Sequence, residues 1–364
     1  MKYAGRVVLS LALVAAAAFQ QPTAFADDAE SYFIRHTVNR YFPIHMTART
    51  MGMGGAFVAI KGDSASILGN PAGLGPLTDS FMTGGLQFGQ ISGDDLSTLD
   101  GVDEDNYGGL LMGAYPITDA FSMGWGFVPT FGDADDASNR ETENFYVPIS
   151  LAYDVTDAFS IGYGIGYIND SVEASGYDGD MDVAFLHRFG VLFAASDVLD
   201  LGLMGTYGHG DAESSAVSGA NFDGDRESWG VQGGLAWMAT SDLLLALDLA
   251  YEDMDTEGDI SNSLIPAFPS IGFEESIEAL SVRAGAEYAW NECLKLRGGA
   301  GYTDYDYETN DAATAALVDG IDGAHVSSGF GYEWNENFVT DVAGMIRFFD
   351  EVDFTVGAQL TYKF

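Results

Sequence analysis

An unbroken alternation runs through residues 352–364. Val352, Phe354, Val356, Ala358, Leu360, Tyr362 and Phe364 form one set, and Asp353, Thr355, Gly357, Gln359, Thr361 and Lys363 the other. Successive side chains of a strand leave on opposite faces, so this segment has one apolar face and one polar or small face. Any half-buried strand shows that once; its recurrence is the real constraint. Phe159, Ile161, Tyr163, Ile165 and Tyr167 oppose Ser160, Gly162, Gly164 and Gly166. Leu243, Leu245, Leu247, Leu249 and Tyr251 oppose Asp248 and Glu252, and Leu294, Leu296 and Tyr302 oppose Lys295, Arg297 and Thr303.

Short polar breaks separate these runs: Thr118-Asp119, Thr156-Asp157, Ser196-Asp197, Thr240-Ser241-Asp242, Asn291-Glu292 and Asn335-Glu336-Asn337. Between them lie longer stretches rich in Asp, Gly and Ser, at 92–106, 132–142, 170–180, 209–223, 253–274 and 304–320. Short turns at one end and long loops at the other predict a transmembrane antiparallel β-barrel, all-β, over residues 79–364. Counting between breaks gives about fourteen strands, starting near Ser80, Tyr107, Ala120, Glu143, Ala158, Met181, Val198, Gly224, Asp242, Glu275, Glu292, Asp322, Asn337 and Val352. An even count puts both ends on the periplasmic side. Tyr153, Tyr163, Tyr167, Tyr251, Tyr288, Trp290, Tyr332 and Trp334 fall beside turns or loops, as an interfacial girdle does. A soluble sandwich has no need of such a belt.

The charge balance, 14 basic against 55 acidic residues and net −41, excludes nucleic acid as a partner. Acidity of that size can mean disorder, but 47% hydrophobic and 13% aromatic residues argue for an ordered chain. Residues 1–26 read as a signal peptide. Lys2 and Arg6 precede an apolar core too short to span a bilayer, and Ala24-Phe25-Ala26 supplies a cleavage site. Cys293 is the only cysteine, which leaves no internal disulfide, and the histidines and cysteine form no zinc pattern; no metal or cofactor is expected.

Residues 27–78 lack sustained alternation. They hold Gly52-Met53-Gly54-Gly55-Ala56-Phe57-Val58-Ala59, then Asp63-Ser64-Ala65-Ser66, then Asn70-Pro71-Ala72-Gly73-Leu74. The glycines do not make a phosphate loop, because no Lys-Ser or Lys-Thr follows. In order and position these runs resemble the N-terminal hatch of the FadL/TodX-type outer-membrane transporters of hydrophobic compounds; PorV-like barrel proteins, partly secretion accessories, share a similar opening. The resemblance implies a plug over 27–78 inside a fourteen-stranded barrel. Gly52, Gly54, Gly55, Asn70, Pro71, Ala72 and Gly73 would then act in gating, with the Asn-Pro-Ala turn near a side opening in the wall. It further implies a third-strand kink through which ligand leaves sideways; here that strand carries Gly124, Gly126 and Pro129, with Pro148 on its neighbour. Pro donates nothing to the ladder and Gly weakens it.

The inward set mixes small residues with isolated charges: Arg188, Asp200, Asp248, Arg283, Glu287, Arg297, Asp341 and Arg347. A general porin shows charged rings instead. A lumen of this kind suits an amphiphile, with Arg188, Arg283, Arg297 and Arg347 as candidate partners for a carboxylate head; their alternative role is pairing with the inward acids or the plug. His325 and Ser327, two apart on one face, raise a lipid-esterase alternative. Against it, Val326, Phe330, Tyr332 and Trp334 take the apolar face and send the pair to the lumen. The acidic loops form a solvated outer face, and runs such as 133–136 suit Ca²⁺ or a saline habitat equally. The function expected is passive transport of a hydrophobic small molecule such as a long-chain fatty acid or aromatic hydrocarbon. The protein would sit in the outer membrane among its lipids, as a monomer inserted by the barrel assembly machinery through Phe364.

Overall fold

A computed structural model of the chain describes residues 47–94, 101–134, 140–174, 177–216, 220–262, 271–310, 320–349 and 352–364. The predicted signal peptide and residues 27–46 of the predicted plug lie outside the described residues. The strands are β1 (Phe81–Asp94), β2 (Gly101–Thr118), β3 (Phe121–Ala134), β4 (Arg140–Thr156) and β5 (Phe159–Ala174). There follow β6 (Tyr177–Ser196), β7 (Leu199–Ala216), β8 (Ala220–Thr240), β9 (Leu243–Asn262) and β10 (Ile271–Ala289). The last four are β11 (Leu294–Thr309), β12 (Gly320–Glu333), β13 (Phe338–Phe348) and β14 (Val352–Lys363). Each pairs antiparallel with its neighbours in sequence, and β1 closes on β14 from Phe81↔Lys363 to Gln90↔Phe354. The fourteen-stranded barrel predicted from alternation is the one observed.

Alternation sorts the two faces as expected. On β9, Leu247 and Leu249 are 40% and 59% exposed on the outside, while Asp248 and Ala250 between them are buried in the lumen. Further along, the same outward file becomes Asp253, Asp255, Glu257 and Asp259. The change falls at Tyr251, whose ring lies 5.2 Å from that of Trp229, and the Trp229 indole donates to Asp253 at 3.0 Å. A second aromatic group sits by the short turns, with Tyr332–Trp334 at 4.9 Å and Phe338–Tyr362 at 4.8 Å. A greasy belt bounded by amphipathic rings, on a sheet with no free edge, is what lipid requires, since each unpaired backbone group there costs several kcal/mol. The barrel spans a membrane by its strands; among the described residues no helix is long and apolar enough to cross one.

The strands run further than composition suggested. Within the Asp/Gly-rich stretch 253–274, expected to be loop, residues 253–260 are strand, paired from Glu278↔Asp253 to Ile271↔Ile260. Likewise β2 starts at Gly101, not near Tyr107. Aspartate and glycine are poor strand formers in isolation, but a ladder already in register offers each further residue its hydrogen bonds, and context overrides propensity.

Before β1, two short helices, α1 (Ala48–Gly52) and α2 (Ala65–Leu68), and a 3-10 turn at Pro71–Leu74 pack against the inner wall. Thr47 caps α1 by accepting from Thr50 N. Met51, Met53, Ala56, Val58, Ile67 and Leu74 of this segment are essentially fully buried.

Candidate functional site

The glycine run after α1 is shaped by the wall beside it. Gly54 has φ +65°, and a Cβ there would sit 2.6 Å from Ala300 N, so only glycine fits. Gly52 and Gly55 flank it, Gly52 against Arg297 and Ala343 and Gly55 at φ +77°. Two side chains of β12 hold the Gly54 peptide groups: Gly54 N donates to Ser327 Oγ at 2.9 Å, and His325 Nε2 lies 2.9 Å from Gly54 O. The pair weighed for esterase chemistry thus faces the lumen and contacts backbone. Asp248 of β9 accepts from Phe57 N at 2.6 Å and Val58 N at 3.0 Å.

An ion network ties α1 to four strands. Arg297 (β11) donates to Glu287 (β10) at 2.7 Å and to Asp341 (β13) at 2.6 Å. Arg49 of α1 donates to Glu287 at 2.9 Å and to Asp63 at 2.6 Å. Gln359 (β14) donates to Asp341 at 3.2 Å and accepts from Ala48 N at 2.9 Å. Burial works against the Arg49 charge, but the carboxylates of Glu287 and Asp63 outweigh it and hold its guanidinium above the usual value.

The Asn-Pro-Ala turn lies on β5 and β6. Asn70 Nδ2 donates to Val58 O at 2.7 Å and Val191 O at 3.1 Å, while its Oδ1 accepts from Ala72 N at 3.1 Å and so caps the 3-10 turn that Pro71 begins. Gly73 N donates to Asn70 O at 3.0 Å, and Gly73 O accepts from Gly62 N at 2.8 Å. The close approach depends on Gly162 and Gly190, where any Cβ would collide with Ala72 N and with Asn70 Oδ1. Alternation marks both as lumen-facing, yet nothing local separates them from other small inward residues; their role was not legible.

The four candidate head-group arginines differ in surroundings. Arg297 is ion-paired as above. Arg283 Nη2 lies 3.8 Å from Glu252, and Arg347 Nη2 donates to Thr355 Oγ1 at 3.2 Å. Arg188, 1% exposed, donates through Nη1 to Ile67 O of α2 at 2.8 Å and lies 5.7 Å over the Tyr146 ring. Ile67 and Tyr146 belong, with Leu74, Leu110, Met112 and Val128, to an apolar cluster inside the wall of β2–β6.

That wall is broken at β3. The β2–β3 ladder runs to Gly108↔Thr130 and resumes at Leu111↔Phe127 in the same register, so two pairs are absent among these described residues. On the other side, Trp125↔Ile149 is followed only by Val128↔Tyr146, again without a shift. The gaps coincide with Pro129 and with Gly126 opposite Pro148, whose missing N–H groups cannot close the ladder. Gly124, the third residue singled out, lies just before the break; a Cβ there would come 2.8 Å from Ile67 and 3.0 Å from Leu74. Outside, Phe127–Phe145 and Phe131–Phe145 rings at 6.1 Å and 5.9 Å cover the break.

Known structures share this fold. The Ralstonia pickettii toluene transporter TbuX matches at 16% identity and TM-score 0.57, covering 87% of this chain and 97% of that one. The Pseudomonas putida toluene transporter TodX matches at 16% and 0.58 over the same shares. A Pseudomonas aeruginosa FadL homologue matches at 14% and 0.65, covering 87% and 98%. At such identity the likeness establishes the fold, which is that of the FadL/TodX-type channels. No family model matches the sequence, and no curated protein does.

Proposed function

We propose that this barrel lies in the outer membrane and lets hydrophobic or amphiphilic small molecules, long-chain fatty acids or aromatic hydrocarbons, diffuse inward without an energy source. The observation that carries the reading is the doubly interrupted ladder of β3 set against the apolar cluster of Ile67, Leu110, Met112 and Val128. An apolar cluster beside a wall defect offers a greasy molecule a path from lumen to lipid that water-filled porins lack. The segment 47–78 is the gate, with Gly52, Gly54, Gly55 and the turn of Asn70, Pro71, Ala72 and Gly73 fixing its closed position; Gly124, Gly126 and Pro129 form the exit. Of the four arginines, Arg188 is the one to hold a carboxylate head, since Arg297 is taken up by two acids. The structural neighbours named toluene transporters support the substrate class for those proteins, and the shared barrel carries it to this chain as a proposal. We place Phe364 as the handle for barrel insertion and the protein as a monomer with no cofactor.

The test is uptake of labelled oleate and toluene by cells carrying the wild type or a deletion of 70–73. Altered uptake of either supports the gate. Unchanged uptake of both removes it, and impaired maturation of secreted proteins in its place would favour an assembly accessory.

A further inference from the structure

On the loop side of the apolar cluster the inner wall turns polar. Glu104 and Asn106 of β2, Thr142 and Asn144 of β4 and Asp170 of β5 all stand on inward files. Between β2 and β4 runs β3, where the ladder sets Asn106 opposite Gly132 and Gly132 opposite Thr142. With no side chain at 132, the space over β3 is left to its neighbours. A Cβ there would lie 2.8 Å from Glu104 Oε1, 2.9 Å from Asn106 Oδ1 and closer still to Thr142 Oγ1. Three oxygens from two strands thus converge over a third.

Asn144 is the next inward residue after Thr142 and pairs across the ladder with Asp170. It is 8% exposed, yet neither its Oδ1 nor its Nδ2 has a hydrogen-bond partner among the described residues. Asn106 Nδ2 is buried and equally without one. An amide held in that way is costly unless something else engages it. Glu104 and Asp170, 3% and 0% exposed, are the acids of the set. Arg140 Nη2 stands 3.9 Å from Glu104 Oε2, so Oε1 is the oxygen turned to Gly132. Among the described residues no three His, Cys, Asp or Glu side chains are grouped to hold a metal. Two carboxylates with amide and hydroxyl oxygens are instead the hard donor set that Ca²⁺ takes, roughly six to eight oxygens in flexible geometry.

We propose that Glu104, Asn106, Thr142, Asn144 and Asp170 form a Ca²⁺ site that ties β2 to β4 and β5 across Gly132. The ion takes oxygens from both carboxylates, Oδ1 of both amides and the Thr142 hydroxyl, and water completes its shell. Asn144 Nδ2 is then left to the second Asp170 oxygen across the ladder. It is a bracing ion for the wall, and nothing in it depends on what the barrel transports.

The experiment follows amide exchange at Thr130, Gly132 and Asn144 in the full protein in lipid nanodiscs. CaCl₂ or MgCl₂ is the probe, at constant ionic strength. Extracellular calcium sites dissociate at roughly 0.1–1 mM, so about 10 mM Ca²⁺ is ten or more times that constant. By mass action exchange at these amides then slows about tenfold or more in the wild type. Mg²⁺ demands near-ideal octahedral geometry and sheds water reluctantly, so it slows exchange by about twofold at most. Asn144→Leu and Glu104→Gln abolish the Ca²⁺ response. Asn144→Asp adds a carboxylate of the same shape and needs several-fold less Ca²⁺ for the same slowing. Asp225→Asn/Glu257→Gln, on the outer acidic face, responds as the wild type does. Heat-modifiable electrophoretic mobility establishes that each variant is folded. Equal slowing by Mg²⁺ and Ca²⁺, slowing that survives Asn144→Leu, or no slowing in the wild type overturns the site.

Discussion

Among single residues, the ones that matter most here are those whose partners lie far away in sequence. Arg49 and Glu287 are 238 positions apart, and Arg297 and Asp341 are 44 apart. Replacing Arg297 with Met leaves two buried carboxylates short of a partner and costs roughly 3–5 kcal/mol. Urea unfolding in lipid vesicles is the measurement, and the double variant Arg297→Met/Asp341→Leu loses less than the single one. Asn70→Ala strips donors from Val58 O and Val191 O and the cap from Ala72 N. At about 1 kcal/mol per hydrogen bond, exchange of the Gly73 amide rises by tenfold or more while strand amides stay protected. The alternation already sent Arg297, Glu287, Asp341 and Asp248 to the lumen. What it could not say is which of them meet, because pairing depends on how the closed wall curves, and on Arg49 arriving from a segment with no periodicity.

For elements, β3 sets the question. Its ladder lacks two pairs toward β2 and two toward β4, at Pro129 and Pro148. Pro129→Val/Pro148→Val returns two N–H donors to the wall. We expect the barrel to fold with equal or higher stability and oleate uptake to fall several-fold; uptake at the wild-type rate would place the exit elsewhere. The family resemblance pointed to the third strand; that Pro129 and Pro148 withhold N–H donors from the ladder was legible because proline carries its backbone consequence in its own chemistry. The strand ends were not. Residues 253–262 read as loop by composition and form strand because β10 is already alongside.

At the scale of the whole molecule, the net charge of −41 acquires a location. On the outer wall beyond the aromatic belt, carboxylates stand opposite carboxylates: Asp211↔Asp225, Asp225↔Glu257, Glu257↔Glu274, Asp253↔Glu278 and Glu278↔Asp306. Like charges directly across a ladder are destabilising by up to about 1 kcal/mol each. Raising salt from roughly 0.1 M to 1 M shortens the screening length from about 10 Å to 3 Å. Amide protection at the upper ends of β8–β10 should therefore rise with salt, equally for NaCl and KCl, while protection within the apolar belt stays constant. A flat salt response would mean that these carboxylates are already neutralised.

The sequence by itself determined a closed barrel in lipid, its strand number and the inward and outward sets, because alternation acts through each residue's own backbone. The tertiary structure decided which inward charges pair, where the Asn70 turn lands on Gly162 and Gly190, and that Arg188 reaches the Ile67 carbonyl. Those facts arise only when wall and lumen segment converge from distant parts of the chain, and no local pattern records such a meeting.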